Sequence, residues 1–179
     1  MSRLRVSGGE ARGRRLKAPK NIRPTQGLVK QAMFNLAGPG IADAHVLDLF
    51  AGSGAIGIEA LSRGASDATF VDREPRGLAI LRQNLDALGL KERARVVRGD
   101  VVRWLETSPE AVKEASFIFL DPPYDDPVID RALKVLDREV EGATVIAEHS
   151  RRQELPHLTR LQLDRRRRYG DTVVTVLRV

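Results

Sequence analysis

A chain of 179 residues with 42% apolar side chains is long enough for one domain with a substantial core. It has no cysteine, which excludes disulfides, thiolate nucleophiles and cysteine zinc sites. The net charge of +6 is uneven: residues 1–40 carry nine basic side chains against Glu10 alone, while the remaining 21 basic and 23 acidic residues leave the rest slightly acidic. A basic extension on a near-neutral body is the electrostatic footprint of a nucleic-acid binder. No run reads as a signal peptide or a membrane span, so a cytoplasmic protein is expected.

In chain order, residues 3–17 read as a hairpin. Leu4 and Val6 alternate with Arg3 and Arg5, Ser7-Gly8-Gly9 marks a turn, and Arg14 to Lys17 returns. A ribbon of this kind presents arginines to RNA but is too small to fold alone. Thr25 is placed to cap a helix over 26–37, with Val29, Ala32, Met33 and Leu36 on one face. Gly38-Pro39-Gly40 ends that helix and sets a boundary between a basic unit, 1–40, and a larger unit, 41–179.

From residue 46 the pattern alternates. Strands are expected at 46–50, 68–72, 95–99, 116–120 and 143–148, with helices at 54–63, 74–88, 101–106 and 127–138. Such alternation means right-handed crossovers and a doubly wound, mostly parallel sheet. The last two strands, 158–164 and 172–179, are joined by the link Arg165 to Asp171 and must run antiparallel. The expected fold is therefore α/β, seven-stranded, ending in an antiparallel hairpin, with a small amino-terminal hairpin and helix. The block Arg165-Arg166-Arg167-Arg168 reads equally well as the flank of an RNA groove or as a solvated turn.

The first strand ends in Gly52-x-Gly54-x-x-Gly57, which opens into a helix. That spacing matches a dinucleotide fingerprint, with Asp72 near the expected distance downstream. Asp48 argues against a pyrophosphate: a carboxylate at the end of a buried strand repels it and suits a cationic ligand such as S-adenosylmethionine. Its alternative role is to cap the loop that follows. The strands end in Asp48, Asp72, Asp100, Asp121, and Glu148 with His149, which places several acids along one crevice. Asp72 can accept ribose hydroxyls or cap the next helix. Gly99-Asp100-Val101 can take an adenine by hydrogen bond and packing, or Asp100 can serve as a cap.

Asp121-Pro122-Pro123-Tyr124 is the most specific signal. The prolines fix the backbone and remove two N–H donors, leaving carbonyls as acceptors. Asp121 and a proline carbonyl can accept both N–H bonds of an exocyclic amine, and Tyr124 can stack on its ring. In a doubly wound sheet the first and fourth strands are neighbours, so Asp121 would lie beside the Gly52–Gly54 loop.

Asp48-Leu49-Phe50-Ala51-Gly52-Ser53-Gly54 resembles the S-adenosylmethionine motif of class I methyltransferases, whose Rossmann-like fold ends in such a hairpin. Asp121 to Tyr124 resembles the catalytic motif of enzymes that methylate amino groups of bases. Arg12-Gly13-Arg14-Arg15-Leu16, Arg23-Pro24-Thr25 and Met33-Phe34-Asn35 are similar to the RsmD-type family, which methylates the exocyclic amine of a guanine in 16S ribosomal RNA. The resemblance runs nearly end to end but fades from Arg151 on. It implies catalytic roles for Asp121, Pro122, Pro123 and Tyr124. It implies S-adenosylmethionine binding by Thr25, Asp48, Phe50, Ala51, Gly52, Ser53, Gly54, Asp72, Arg73, Gly99, Asp100 and Val101, with no metal. RNA contacts would come from Arg3, Arg5, Arg12, Arg14, Arg15, Lys17 and Arg23. The implied enzyme is a monomer acting on an assembled or partly assembled small ribosomal subunit. A DNA or RNA adenine methyltransferase shares the catalytic motif and stays open. An NAD(P)-dependent oxidoreductase fits the glycines but leaves Asp121 to Tyr124 unexplained.

Overall fold

The computed structural model describes residues 4–21 and 26–179. Helix α1 spans Gln26–Ala37, matching the expected range, while Arg3, Arg23 and the proposed cap Thr25 lie outside the described residues. Strand β1 (His45–Leu49) leads through a glycine turn into α2 (Ala55–Ser62). Then come β2 (Asp67–Asp72), α3 (Pro75–Leu88), a 3-10 turn at Lys91–Arg93 and β3 (Ala94–Arg98). The next crossover holds α4 (Val101–Thr107) and α5 (Pro109–Glu114) before β4 (Phe117–Leu120). Helix α6 (Val128–Glu139) precedes β5 (Thr144–Ser150), and the chain closes with β6 (Gln162–Tyr169) and β7 (Thr172–Arg178).

The sheet order is β3-β2-β1-β4-β5-β7-β6. The five strands β1 to β5 run parallel, and β7 lies antiparallel to both β5 and β6. Period-2 alternation explains the two layers. On β1, Val46 joins a core with α1, α2 and α3, while Leu47 and Leu49 join a second core with α4, α5 and α6. No helix among the described residues is long and apolar enough to cross a membrane.

Two expectations need correcting. The sixth strand is 162–169 and not 158–164, so the four arginines lie within the strand and Gly170-Asp171 alone makes the turn. Leu158 and Leu161 pack on the second core from the approach to the strand. Helix α5, which opens on Pro109, fills a stretch to which the sequence pattern assigns no element. The amino-terminal hairpin is present: among the described residues Arg5 bridges Arg15, Val6 N donates to Arg14 O at 3.0 Å and Leu16 N to Leu4 O at 2.9 Å. The segment gains further order from the body. Leu4, Val6, Ala11 and Leu16 are buried in the α1–α3 core. Ser7 N donates to Glu59 Oε2 at 2.9 Å, Ala11 N to Ser62 Oγ at 2.9 Å, and Lys17 N to Asn84 Oδ1 at 2.8 Å. Arg5, Arg12, Arg14, Arg15 and Lys17 remain exposed.

Candidate functional site

The turn after β1 is built from unusual backbone. Phe50 has φ 63°, Gly52 54° and Gly54 85°. Left-handed angles at both glycines carry the chain straight from strand to helix without a Cβ penalty. Gly57, the third glycine, lets α2 lie on β2: a Cβ there would sit 2.3 Å from the Phe70 ring. Nothing lies within 4 Å of where a Cβ would be at Gly52 or Gly99, so open space fronts both turns.

Asp48 lines neither cavity described below. Alternation turns it to the same face as Val46, toward α2, where Oδ2 accepts from Gly57 N at 2.8 Å. It is buried, at 1% exposure. The loop-capping role is therefore the one its geometry displays. Burial, with the nearby Asp72 charge adding and the Gly57 N–H opposing, pushes its carboxyl up to about 8. A carboxyl raised in the folded state stabilises the fold below its ordinary value of 3.8 and loses that contribution as pH climbs through about 8. Asp48→Asn is thus expected to have a melting temperature above wild type at pH 9, with the gap narrowing through pH 5 and closing only toward pH 3.8. A gap that does not change with pH in paired thermal scans would show that Asp48 is ionised throughout.

A cleft of about 610 Å³ opens at the carboxyl ends of the parallel strands, the expected ligand position in an open α/β sheet. Asp72, Arg73, Gly99, Asp100 and Val101 line one end, and Asp121, Pro122, Pro123 and Tyr124 line the other. A smaller cavity of about 160 Å³ lies along Phe50, Ala51, Gly52 and Ser53. Phe50 and Asp121 line both, so the two spaces meet at Asp121. Gly54 is buried behind the turn.

Asp72 is a brace between loops: Oδ2 accepts from Gly52 N at 2.9 Å and Oδ1 from Glu74 N at 2.8 Å. It does not cap α3, because Glu74 does, accepting from Arg76 N at 3.2 Å. Each Asp72 oxygen keeps a lone pair for a further donor. Asp100 both faces the cleft and caps α4 through Arg103 N at 2.9 Å.

The pairing of Leu49 with Leu120 puts Asp121 next to the glycine turn, as expected, and Asp121 N donates to Leu49 O at 3.4 Å. Asp126 N takes the Pro123 carbonyl at 3.3 Å. The Tyr124 hydroxyl bonds Thr172 Oγ1 and reaches Glu148 Oε1 at 3.4 Å, fixing the ring against β5 and β7. Glu148 had a sequence signal as an acid closing a buried strand; Thr172 had none. Asn21, Gln26, Asp126 and Arg131 also line the cavities without any motif to mark them. The exposed amino-terminal cations lie outside both linings, although the chain beyond Lys17 brings Pro19 and Asn21 to the smaller cavity. Among the described residues no group of three His, Asp or Glu gathers to hold a metal.

Residues 4–178 match the family described as Conserved hypothetical protein 95. The chain is 40% identical over 181 aligned positions to "Putative rRNA methyltransferase YlbH" of Bacillus subtilis, covering 97% of each chain. It is 36% identical to the ribosomal RNA small subunit methyltransferase D of Escherichia coli K12, over 75% of this chain and 67% of that one. The solved structure of "Putative methyltransferase yhhF" from Escherichia coli superposes with a TM-score of 0.85 at 32% identity, covering 98% of this chain and 97% of the other.

Proposed function

The chain belongs to the conserved hypothetical protein 95 family, whose members include ribosomal RNA small subunit methyltransferase D, and we propose that it transfers a methyl group from S-adenosylmethionine to the exocyclic amine of a guanine in small-subunit (16S) ribosomal RNA. The observation that carries this reading is the meeting of both cavities at Asp121, between the glycine turn and the Pro122-Pro123-Tyr124 loop.

The residues fit the cofactor. Open space at Gly52 and Gly99 admits a ligand against the backbone, and a cleft of about 610 Å³ is of nucleoside size. Asp72 would accept ribose hydroxyls on its remaining lone pairs. Asp100 and Val101 would hold the adenine, with Arg73 at the rim. Phe50, Ala51 and Ser53 would border the amino-acid end, joined by Thr25. The cofactor supplies a methyl group made electrophilic by a sulfonium.

The chain's own residues do the positioning. Asp121 would accept one N–H of the target amine. A proline carbonyl of the Pro122-Pro123 pair would accept the other; Pro123 O already takes Asp126 N at 3.3 Å, and Pro122 O has no such backbone bond among the described residues. Held in this way, the nitrogen lone pair would be turned toward the methyl donor, and this positioning would supply much of the rate. Asp121 would stabilise the positive charge that the amine gains as the methyl leaves the sulfonium, which departs as a neutral thioether, before a proton leaves to water. Tyr124, pinned through its hydroxyl, would stack on the base, which must be single-stranded or flipped to reach it. Arg3, Arg5, Arg12, Arg14, Arg15, Lys17 and Arg23 would hold phosphates. The substrate would be an assembled or partly assembled small subunit, met by a monomer in the cytoplasm.

The test is calorimetric titration with S-adenosylmethionine and with NAD, followed by labelled-methyl transfer to undermethylated small-subunit particles and nucleoside analysis. Binding of S-adenosylmethionine alone and formation of N2-methylguanosine are expected. NAD binding, or methyladenosine as product, would overturn the reading.

A further inference from the structure

A groove of about 610 Å³ runs between residues 151–158 and the β6–β7 hairpin. His149, Arg151, Gln153, His157 and Arg166 line it, with Glu154 the one carboxylate among its described lining residues. It adjoins the catalytic cleft: Gln153 Nε2 donates to the carbonyl of Asp126, a cleft residue, at 3.0 Å. Strand register places the two at one end of the sheet. Tyr169 pairs with Thr172 and Thr172 with Ser150, so the β6–β7 turn stands at the carboxyl end of β5. The Tyr124 hydroxyl bonds that same Thr172. The groove wall is held in place, because Asp137 accepts backbone N–H bonds from Thr159, Arg160 and Leu161 at 2.7–2.8 Å.

Strand alternation sorts the arginines. Arg166 opposes Thr175, and Arg168 opposes Val173, which opposes His149; these share the groove face. Arg165 and Arg167 oppose Val176 and Val174, on the α1 face. Arg165 and Arg178 converge on Asp164, and Arg151 pairs with Asp171. Arg166 Nε instead meets Thr175 Oγ1 at 3.3 Å, and Arg168 Nε the Gly170 carbonyl at 2.8 Å, both neutral oxygens. No carboxylate among the described residues pairs with either guanidinium. One or two charges suffice to keep an edge strand from pairing with another chain. Arg166 lines the groove, and Arg168 stands two residues along on the same strand face; a guanidinium fork so placed can take a backbone phosphate oxygen pair.

We propose that this groove is a second RNA-backbone site, in which Arg166 and Arg168 hold phosphates of the strand that leaves the catalytic cleft. The assignment rests on ribosomal RNA as the substrate. The test uses the full chain and undermethylated small-subunit particles, with affinity followed from about 50 to 300 mM salt at fixed magnesium. Arg166→Gln/Arg168→Gln is expected to flatten the slope of log affinity against log salt by about 1.4, at roughly 0.7 per lost single-strand phosphate contact. Arg165→Gln/Arg167→Gln should leave the slope close to wild type, and both variants should keep S-adenosylmethionine affinity. Equal slopes for the two variants, or an unchanged slope in the first, would overturn the groove assignment while wild-type RNA methylation left the function standing. A parallel fall in S-adenosylmethionine affinity would overturn it too, by showing that the pair acts on the fold. A wild-type protein that neither binds nor methylates RNA would remove the function first and this site with it.

Discussion

Asp121→Ala is expected to lower the rate of methyl transfer by about 10²- to 10⁴-fold, the range for losing a group that positions and polarises a reacting amine. S-adenosylmethionine affinity should stay within about twofold of wild type. The split follows from placement. The groups assigned to ribose and adenine, Asp72, Asp100 and Val101, lie at the far end of the cleft from Asp121. Asp121 stands where the two cavities meet, so its removal strips the acceptor from the incoming amine and leaves the nucleoside contacts in place. Asp121→Asn sharpens the test, because an amide keeps the volume but turns one acceptor into a donor facing the amine's own N–H. Both variants should therefore be slow, with RNA affinity changed little. Single-turnover rates beside calorimetric affinities would settle it. Equal loss of turnover and cofactor affinity would move Asp121 from the amine to the cofactor.

The strand–turn–helix at the centre was legible because three signals coincide there: a short apolar run, glycines at fixed spacing, and a helical pattern directly after. The structure sets β1 at His45–Leu49 and α2 at Ala55–Ser62, one residue from the expected bounds. The neighbouring of β1 and β4, which brings Asp121 to the turn, also followed from the order of a doubly wound sheet. The direction of Asp48 was harder. Its position in a strand was evident, but its facing depends on which side α2 packs, and Val46 alone marked that side. Strand β6 escaped for a related reason. Hydrophobic alternation reports a buried face, and β6 stands at the sheet edge, exposed along nearly its whole length, so its arginines carry no period. The apolar Leu158 and Leu161, which pack on the second core, belong to the approach. Nothing local links Tyr124 to Thr172, 48 residues away, since only the return of β7 beside β5 brings them together. The amino-terminal hairpin was legible from its alternation, but its seating on the body was not. Its backbone donors go to side chains of α2 and α3 as well as to its own partner strand.

Glu59→Ala is expected to destabilise the fold by about 3–5 kcal/mol, a large share of the roughly 5–15 kcal/mol that holds an ordinary domain. Glu59 is fully buried on α2, and Lys30 on α1 is 2% exposed. Lys30 Nζ donates to Glu59 Oε2 at 2.8 Å and to the Arg5 carbonyl at 2.6 Å. Arg63 Nε and the Gly8 N–H each donate to Oε1 at 2.9 Å, and Ser7 N donates to Oε2 at 2.9 Å. One carboxylate thus ties α1, α2 and the amino-terminal segment together. Removing it strands a buried ammonium and two backbone donors, and an unpaired buried charge is the expensive outcome. Replacing both partners, as in Glu59→Leu/Lys30→Met, should recover part of the loss, with Ser7 N and Gly8 N still lacking their acceptor. The pH dependence is a second handle. Burial pushes Glu59 up, but Lys30 and the other donors outweigh it and hold the carboxyl below its ordinary 4.5. Its contribution is therefore complete above that value and is lost as pH falls through the lowered one. Urea midpoints measured from pH 7 down to pH 3 should fall more steeply for wild type than for the double variant. A cost below about 1 kcal/mol for Glu59→Ala would mean that Lys30 finds water or another partner when the carboxylate is gone. The full cost, accompanied by weaker RNA binding, would show that the buried ion pair is what holds the basic segment against the catalytic body.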